Sequence, residues 1–185
     1  MNSINDLNIT LVALLGPKQP ALIELIRNLQ DELHSQLGDA FSAYGMEQVH
    51  GTIIGLEGTR TNTGLANTRL HRATGESKVT DFQGLFRLLS NTSLLPIHIR
   101  IGGFMQGSEP PFTSRGLHPY IRSFTLQGPH AVVIGWPAYN GTFTLSLNNL
   151  RRQCPDYNVL HKSFETDNDI DNDFYLVLGR IEHSL

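Results

Sequence analysis

An α+β or α/β sandwich is the fold class predicted for this chain, and three observations predict it. Short apolar runs alternate with amphipathic stretches in the order β-α-β-α-β-β-β-α-β. The helical stretches fall in two halves of the chain, which suggests two helix-bearing halves. With 185 residues and 39% hydrophobic side chains before its 17 glycines are counted, the chain suits one domain. Residues 1–185 are therefore read as a single domain.

Each element has a local reason. Asn8 to Leu15 is a short apolar run stopped by Gly16-Pro17, the pattern of a buried strand. Pro20 opens a helix in its first turn, with Leu22, Ile23, Leu25, Ile26, Leu29 and Leu33 on one broad face and Gly38 at its end. Gln48 to Leu56 reads as a second strand. Val49, Gly51, Ile53 and Gly55 share one face, and His50, Thr52, Ile54 and Leu56 the other. Residues 57–80 show no periodicity and are expected to form a long loop. Asp81 caps a second helix carrying Phe82, Leu85, Phe86, Leu88 and Leu89. Pro96 to Phe104 is a strand that alternates Ile97, Ile99 and Ile101 with His98 and Arg100. Residues 105–122 form another loop. Strands follow near Ser123 to Leu126 and Ala131 to Trp136, then a helix from about Thr142 to Gln153 that Pro155 ends. Phe174 to Ile181 is apolar on both faces and is expected to be a central strand.

Composition excludes several classes. The net charge is −3, with 14 Lys plus Arg against 17 Asp plus Glu, so a strongly basic nucleic-acid module is excluded while a local basic patch is not. A chain this long buries about 70% of the surface its unfolded form exposes and needs no disulfides. Its one cysteine, Cys154, rules out an internal bridge and a cysteine-based zinc site. The longest aliphatic run, Leu11 to Leu15, is far below the roughly 20 residues of a membrane span. The polar start lacks a basic n-region, so a cytoplasmic protein without a membrane is expected. No Walker loop, GxGxxG, GxSxG or HExxH occurs.

The sharpest chemical feature is Val49-His50-Gly51-Thr52-Ile53-Ile54. Two residues apart on a strand, His50 and Thr52 project to one side and can converge on one ligand. An imidazole moves a proton and a hydroxyl bonds an anionic oxygen. Arg115-Gly116-Leu117-His118-Pro119-Tyr120-Ile121-Arg122 mixes cations with an aromatic ring, which suits phosphate and a base. Asp167, Asp169, Asp171 and Asp173 alternate like a calcium loop, but no glycine holds the sixth position and Leu178 holds the twelfth. A solvated acidic turn is the expectation there.

The first strand, the helix and His-x-Thr near residue 50 together resemble the two-histidine (2H) phosphoesterase superfamily. Pro96-Ile97-His98-Ile99-Arg100-Ile101-Gly102-Gly103-Phe104 is similar to the strand after that family's second helix, and Ala131 to Trp136 to the strand before its third. The resemblance implies a two-lobed α+β fold, with antiparallel sheets framing a central groove and helices outside. It implies metal-independent acid–base chemistry, without a cofactor, on a 2′,3′-cyclic phosphate or 2′,5′-linked phosphodiester of a nucleotide or short RNA. His50 would be acid or base and Thr52 the hydrogen-bond donor to phosphate. Arg115, His118, Tyr120 and Tyr175 would bind substrate.

The second His-x-Thr motif has two readings. One is Tyr175-Leu176-Val177-Leu178-Gly179, where Tyr175 replaces the histidine and Val177 the hydroxyl residue. Tyrosine, with a pKa near 10, is a poor base at neutral pH, and valine bonds no phosphate. The other is His161-Lys162-Ser163-Phe164, which keeps both residue types and makes His161 and Ser163 catalytic. The two readings lead to an enzyme or to an inactive module that binds nucleotide, RNA or a protein partner.

Overall fold

A computed structural model describes residues 6–161, 164 and 170–182. In chain order the elements are β1 (Asp6–Leu7), β2 (Thr10–Ala13), α1 (Pro20–Leu37), β3 (Phe41–Ala43), β4 (Gly51–Gly55), β5 (Gly58–Thr61), β6 (Gly64–Asn67), α2 (Thr68–Thr74) and α3 (Phe82–Asn91). They continue with β7 (Ile99–Ile101), α4 (Pro119–Arg122), β8 (Phe124–Gln127), β9 (His130–Tyr139), β10 (Thr142–Phe143), α5 (Ser146–Arg152) and β11 (Phe174–Ile181). Helices and antiparallel strand pairs are both present, so the class is α+β. The chain divides into two compact units. One comprises Met1–Leu11, Ile53–His98 and Pro137–Asn172, and the other Val12–Thr52, Ile99–Trp136 and Asp173–Leu185.

In the first unit β1, β5 and β6 form an antiparallel sheet in that order, with Asp6 opposite Thr59 and Gly58 opposite Asn67. Residues 57–80 are thus not the loop expected from their lack of periodicity. They fold as a hairpin followed by α2. The hairpin turn is held by the Thr61 hydroxyl, which donates to the Gly64 carbonyl at 2.9 Å. The Asn67 side chain then caps α2 by accepting from the Leu70 N–H at 2.8 Å. Side-chain bonds from Thr and Asn, rather than an apolar stripe, specify this segment. Asp81 caps α3 as expected, accepting from the Gly84 N–H at 2.8 Å. The core of the unit gathers Ile54, Leu56, Leu85, Cys154 and Val159, with Ile9, Leu11, Phe82 and Leu88 packed around it.

In the second unit β11 is central, as its two apolar faces predict. It pairs antiparallel with β9, with β4 and, further along, with β3. The strand pair β8–β9 extends the sheet, with Phe124 opposite Val133. α1 packs on β3 and β11. Its helical span matches the periodicity, but among its apolar residues only Ile26 is fully buried. Leu25, Leu29 and Leu33 stay half-buried beside a partly open apolar cleft.

Several boundaries moved, and β4 begins at Gly51 rather than Gln48, which leaves His50 just outside the strand. The strand expected over 96–104 is reduced to Ile99–Ile101. It ends where Gly102 and Gly103 take positive φ of 71° and 76°. The helix expected from Thr142 begins at Ser146, because Thr142–Phe143 pair with Tyr139 and Ala138 as β10. β3 gave no apolar alternation and went unread; it is specified by its ladder to Gly179–Ile181. No described helix is long and apolar enough to cross a membrane.

Candidate functional site

The second unit presents His50 and Thr52 on one face of β4 and its N-terminal flank. Gly51 between them points to the opposite face, where the Phe174 ring occupies the space a Cβ would fill. Leu176 pairs with Gly51 across the ladder. One step either way along an antiparallel pair sets Tyr175 beside Thr52 and Val177 beside His50, on the face away from Leu176. This face is half-buried at His50, Thr52 and Val177 and closes over Tyr175, which is 8% exposed.

The His50 ring is oriented by its own backbone. Nδ1 lies 2.7 Å from the Gln48 carbonyl oxygen. A carbonyl only accepts, so Nδ1 carries the proton and Nε2 presents its lone pair. Nε2 has no hydrogen-bond partner among the described residues. A histidine held in this tautomer is set to accept a proton or to bond an acidic ligand group.

Tyr175 is committed elsewhere. Its hydroxyl donates to Asp173 Oδ2 at 3.0 Å. Asp173, 3% exposed, is the hub of a buried network. Trp136 Nε1 and the Ser114 hydroxyl each donate to Oδ1 at 2.7 Å, and Arg122 Nη2 donates to Oδ2 at 2.9 Å. Arg115 Nε approaches Oδ2 to 3.8 Å. Arg115 is therefore not simply a solvated loop cation. It sits at φ 49°, followed by Gly116 at 74°, in a tight turn closed by reciprocal backbone bonds between Ser114 and Leu117.

His118 serves the same loop. It caps α4, with Nδ1 accepting from the Tyr120 N–H at 3.0 Å and Nε2 donating to the Ser108 carbonyl at 2.8 Å. Both ring nitrogens are engaged, so its local role is to shape the loop. Tyr120 is 46% exposed and available to a ligand. Phe104 and Phe112 pack on Trp136 at ring separations of 5.3 and 5.4 Å, pinning the loop to β9.

His161 lies in the first unit, 1% exposed. Its Nδ1 accepts from the Gly55 N–H at 3.4 Å, so Nε2 carries the proton and donates to Asp171 Oδ2 at 3.2 Å. Asp171 also pairs with Arg151 Nη1 at 3.1 Å, and Arg151 Nε donates to the Ile53 carbonyl at 2.7 Å. This burial weighs against His161 as a proton donor to an external phosphate. Ser163 lies outside the described residues, as does most of the acidic run. Asp171 and Asp173 correct the expectation of a solvated turn, since both are buried and bonded. Among the described residues no group of three or more His, Cys, Asp or Glu is placed to hold a metal ion.

Sequence reading missed Asp173, Trp136, Arg151 and Asp171 as organising residues. The alternating aspartates were the available signal, but nothing local separates a bonded aspartate from a solvated one. No protein-family model matches the chain, and no curated protein or solved structure matches it.

Proposed function

We propose that this is a 2H phosphoesterase-like protein that binds the phosphodiester of a nucleotide or short RNA at His50 and Thr52, with its acid–base chemistry reduced to one histidine. The observation that carries the reading is the His50 ring, whose Nδ1 is bonded to the Gln48 carbonyl so that Nε2 keeps its lone pair, on the strand face it shares with Thr52. The α+β class, the antiparallel strand pairing and the two compact units are compatible with the two-lobed fold of that superfamily. Tyr120 and Arg115 belong to the same unit and supply an exposed ring and a half-exposed guanidinium for a ligand.

Opening a 2′,3′-cyclic phosphate takes a base that accepts the proton of the attacking water and an acid that protonates the leaving oxygen. His50 Nε2 can do the first. The Tyr175 proton is already donated to Asp173, and Val177 bonds nothing, so this strand supplies no second acid. Binding with little turnover is the expected behaviour. The fixed tautomer of His50 favours a second reading, slow metal-independent hydrolysis through that residue alone.

Calorimetric titration with a 2′,3′-cyclic mononucleotide tests both. Saturable binding that His50→Ala weakens by about 10-fold, the cost of roughly one charge-assisted hydrogen bond, is expected. If product forms in the presence of chelator, His50→Ala should lower its rate by about 10²-fold. Absence of binding by cyclic and 2′,5′-linked ligands alike would overturn the proposal.

A further inference from the structure

The first unit carries a second concavity, of about 290 Å3, where the segment entering β7 meets the end of β9 and the start of α5. It sits at the lower limit of the roughly 300–1,000 Å3 typical of small-molecule sites, so it suits one ring system. His98 and Tyr139 form one wall, their rings 5.3 Å apart and tilted by 46°. The two are brought together by the Ala138 N–H, which donates to the His98 carbonyl at 2.9 Å. Both rings are exposed, Tyr139 by 59%, and among the described residues neither the Tyr139 hydroxyl nor the His98 ring nitrogens have a hydrogen-bond partner.

The other wall is polar. Thr144 Oγ1 and Ser146 Oγ lie 2.8 Å apart. One hydroxyl proton is spent between them, which leaves one proton and several lone pairs to meet a ligand edge. Pro96 and Ile97 add apolar surface. None of the lining residues is Asp, Glu, Lys or Arg, so a phosphate, carboxylate or ammonium finds no fixed counter-charge here. Aromatic faces with neutral donors and acceptors at one edge match a flat, uncharged heterocycle that both stacks and hydrogen-bonds.

We infer that this pocket is a nucleobase-binding site, in which a base stacks on Tyr139 with the inclined His98 ring at its side, and its polar edge meets Thr144 and Ser146. The inference goes beyond the His50 site and does not depend on it, because it concerns the base and not the phosphate. The probe is accordingly adenosine or uridine, which carry no phosphate. Titration of the full chain, followed by ligand-observed NMR, should show saturable binding of at least one nucleoside. Tyr139→Ala should weaken it by about 10-fold or more, as loss of one stacking platform does. Tyr139→Phe should retain it. Thr144→Val, which keeps shape and removes the hydroxyl, should weaken it by several-fold. Circular dichroism of each variant checks folding, and Tyr139 and Thr144 lie at the pocket rather than among the core residues. No saturable nucleoside binding, binding indifferent to both Tyr139→Ala and Thr144→Val in folded protein, or preference for a methyl glycoside would overturn the inference. Loss of cyclic-nucleotide binding in His50→Ala with nucleoside binding intact would separate the two sites.

Discussion

The chemistry of single side chains is set here by one or two neighbours. His50 keeps a lone pair on Nε2 because its Nδ1–H donates to a backbone carbonyl two residues away. His161, the same residue type, is enclosed by Gly55 and Asp171 and serves the interior. Cys154 shows how strongly enclosure acts. Burial, opposed by Arg151 and reinforced by Asp156, pushes its thiol up from an ordinary 9.0 to about 12. The folded state therefore keeps the proton that the unfolded chain releases. Any stability this retained proton confers is complete below about pH 9 and falls as pH rises from there towards 12. At pH 8 Cys154 should resist a thiol reagent in the native protein and react promptly in denaturant, with the native rate reporting opening of the first unit. Rapid native labelling would contradict that burial.

At the scale of elements, caps and ladders outweigh propensity. α3 begins where Asp81 meets the Gly84 N–H, and the Asp81 carboxylate and Tyr157 ring fill the space beside Gly84. Asp81→Ala should lower unfolding stability by about 1 kcal/mol in urea titration, the usual loss for a capping side chain. An unchanged midpoint would mean that packing alone defines the helix start. The β5–β6 hairpin was illegible because Gly58, Thr59, Arg60 and Thr61 show no apolar alternation. By contrast β11 was legible to the residue, since its run from Phe174 to Leu178 is apolar at successive positions, as burial on both faces requires. Gly51 lies between the half-buried His50 and Thr52, and its missing side chain admits the Phe174 ring on the opposite face.

Across the whole molecule, each compact unit contains a buried carboxylate, and the two aspartates are only two positions apart. Asp171 holds Arg151 and His161 in the first unit; Asp173 holds Trp136, Ser114, Arg122 and Tyr175 in the second. Neither is stable without its partners, because an uncompensated charge in the interior costs far more than the pair gains. Arg151→Met keeps much of the volume but removes the guanidinium from the buried Asp171 carboxylate, which retains its bond to His161. It should destabilise the protein by about 3–5 kcal/mol in chemical denaturation. A loss below 1 kcal/mol would show that the guanidinium is dispensable. The Asp173 network also engages the hydroxyl of Tyr175, the residue that the strand register sets beside Thr52.

Legible in the sequence were the long helix α1, the Asp81 cap of α3, the central place of β11 and the common face of His50 and Thr52, while the class was narrowed to α+β or α/β. Each of these rests on a period or a cap that spans only a few neighbouring residues. Which ionisable groups are spent inside depends on the folded chain. The fates of Asp171, Asp173, His161 and His118 depend on donors distant in sequence or on loop closure, and a short motif carries no record of either. The same holds for the His98–Tyr139 pocket, which a backbone bond between Ala138 and His98 assembles from two separate segments.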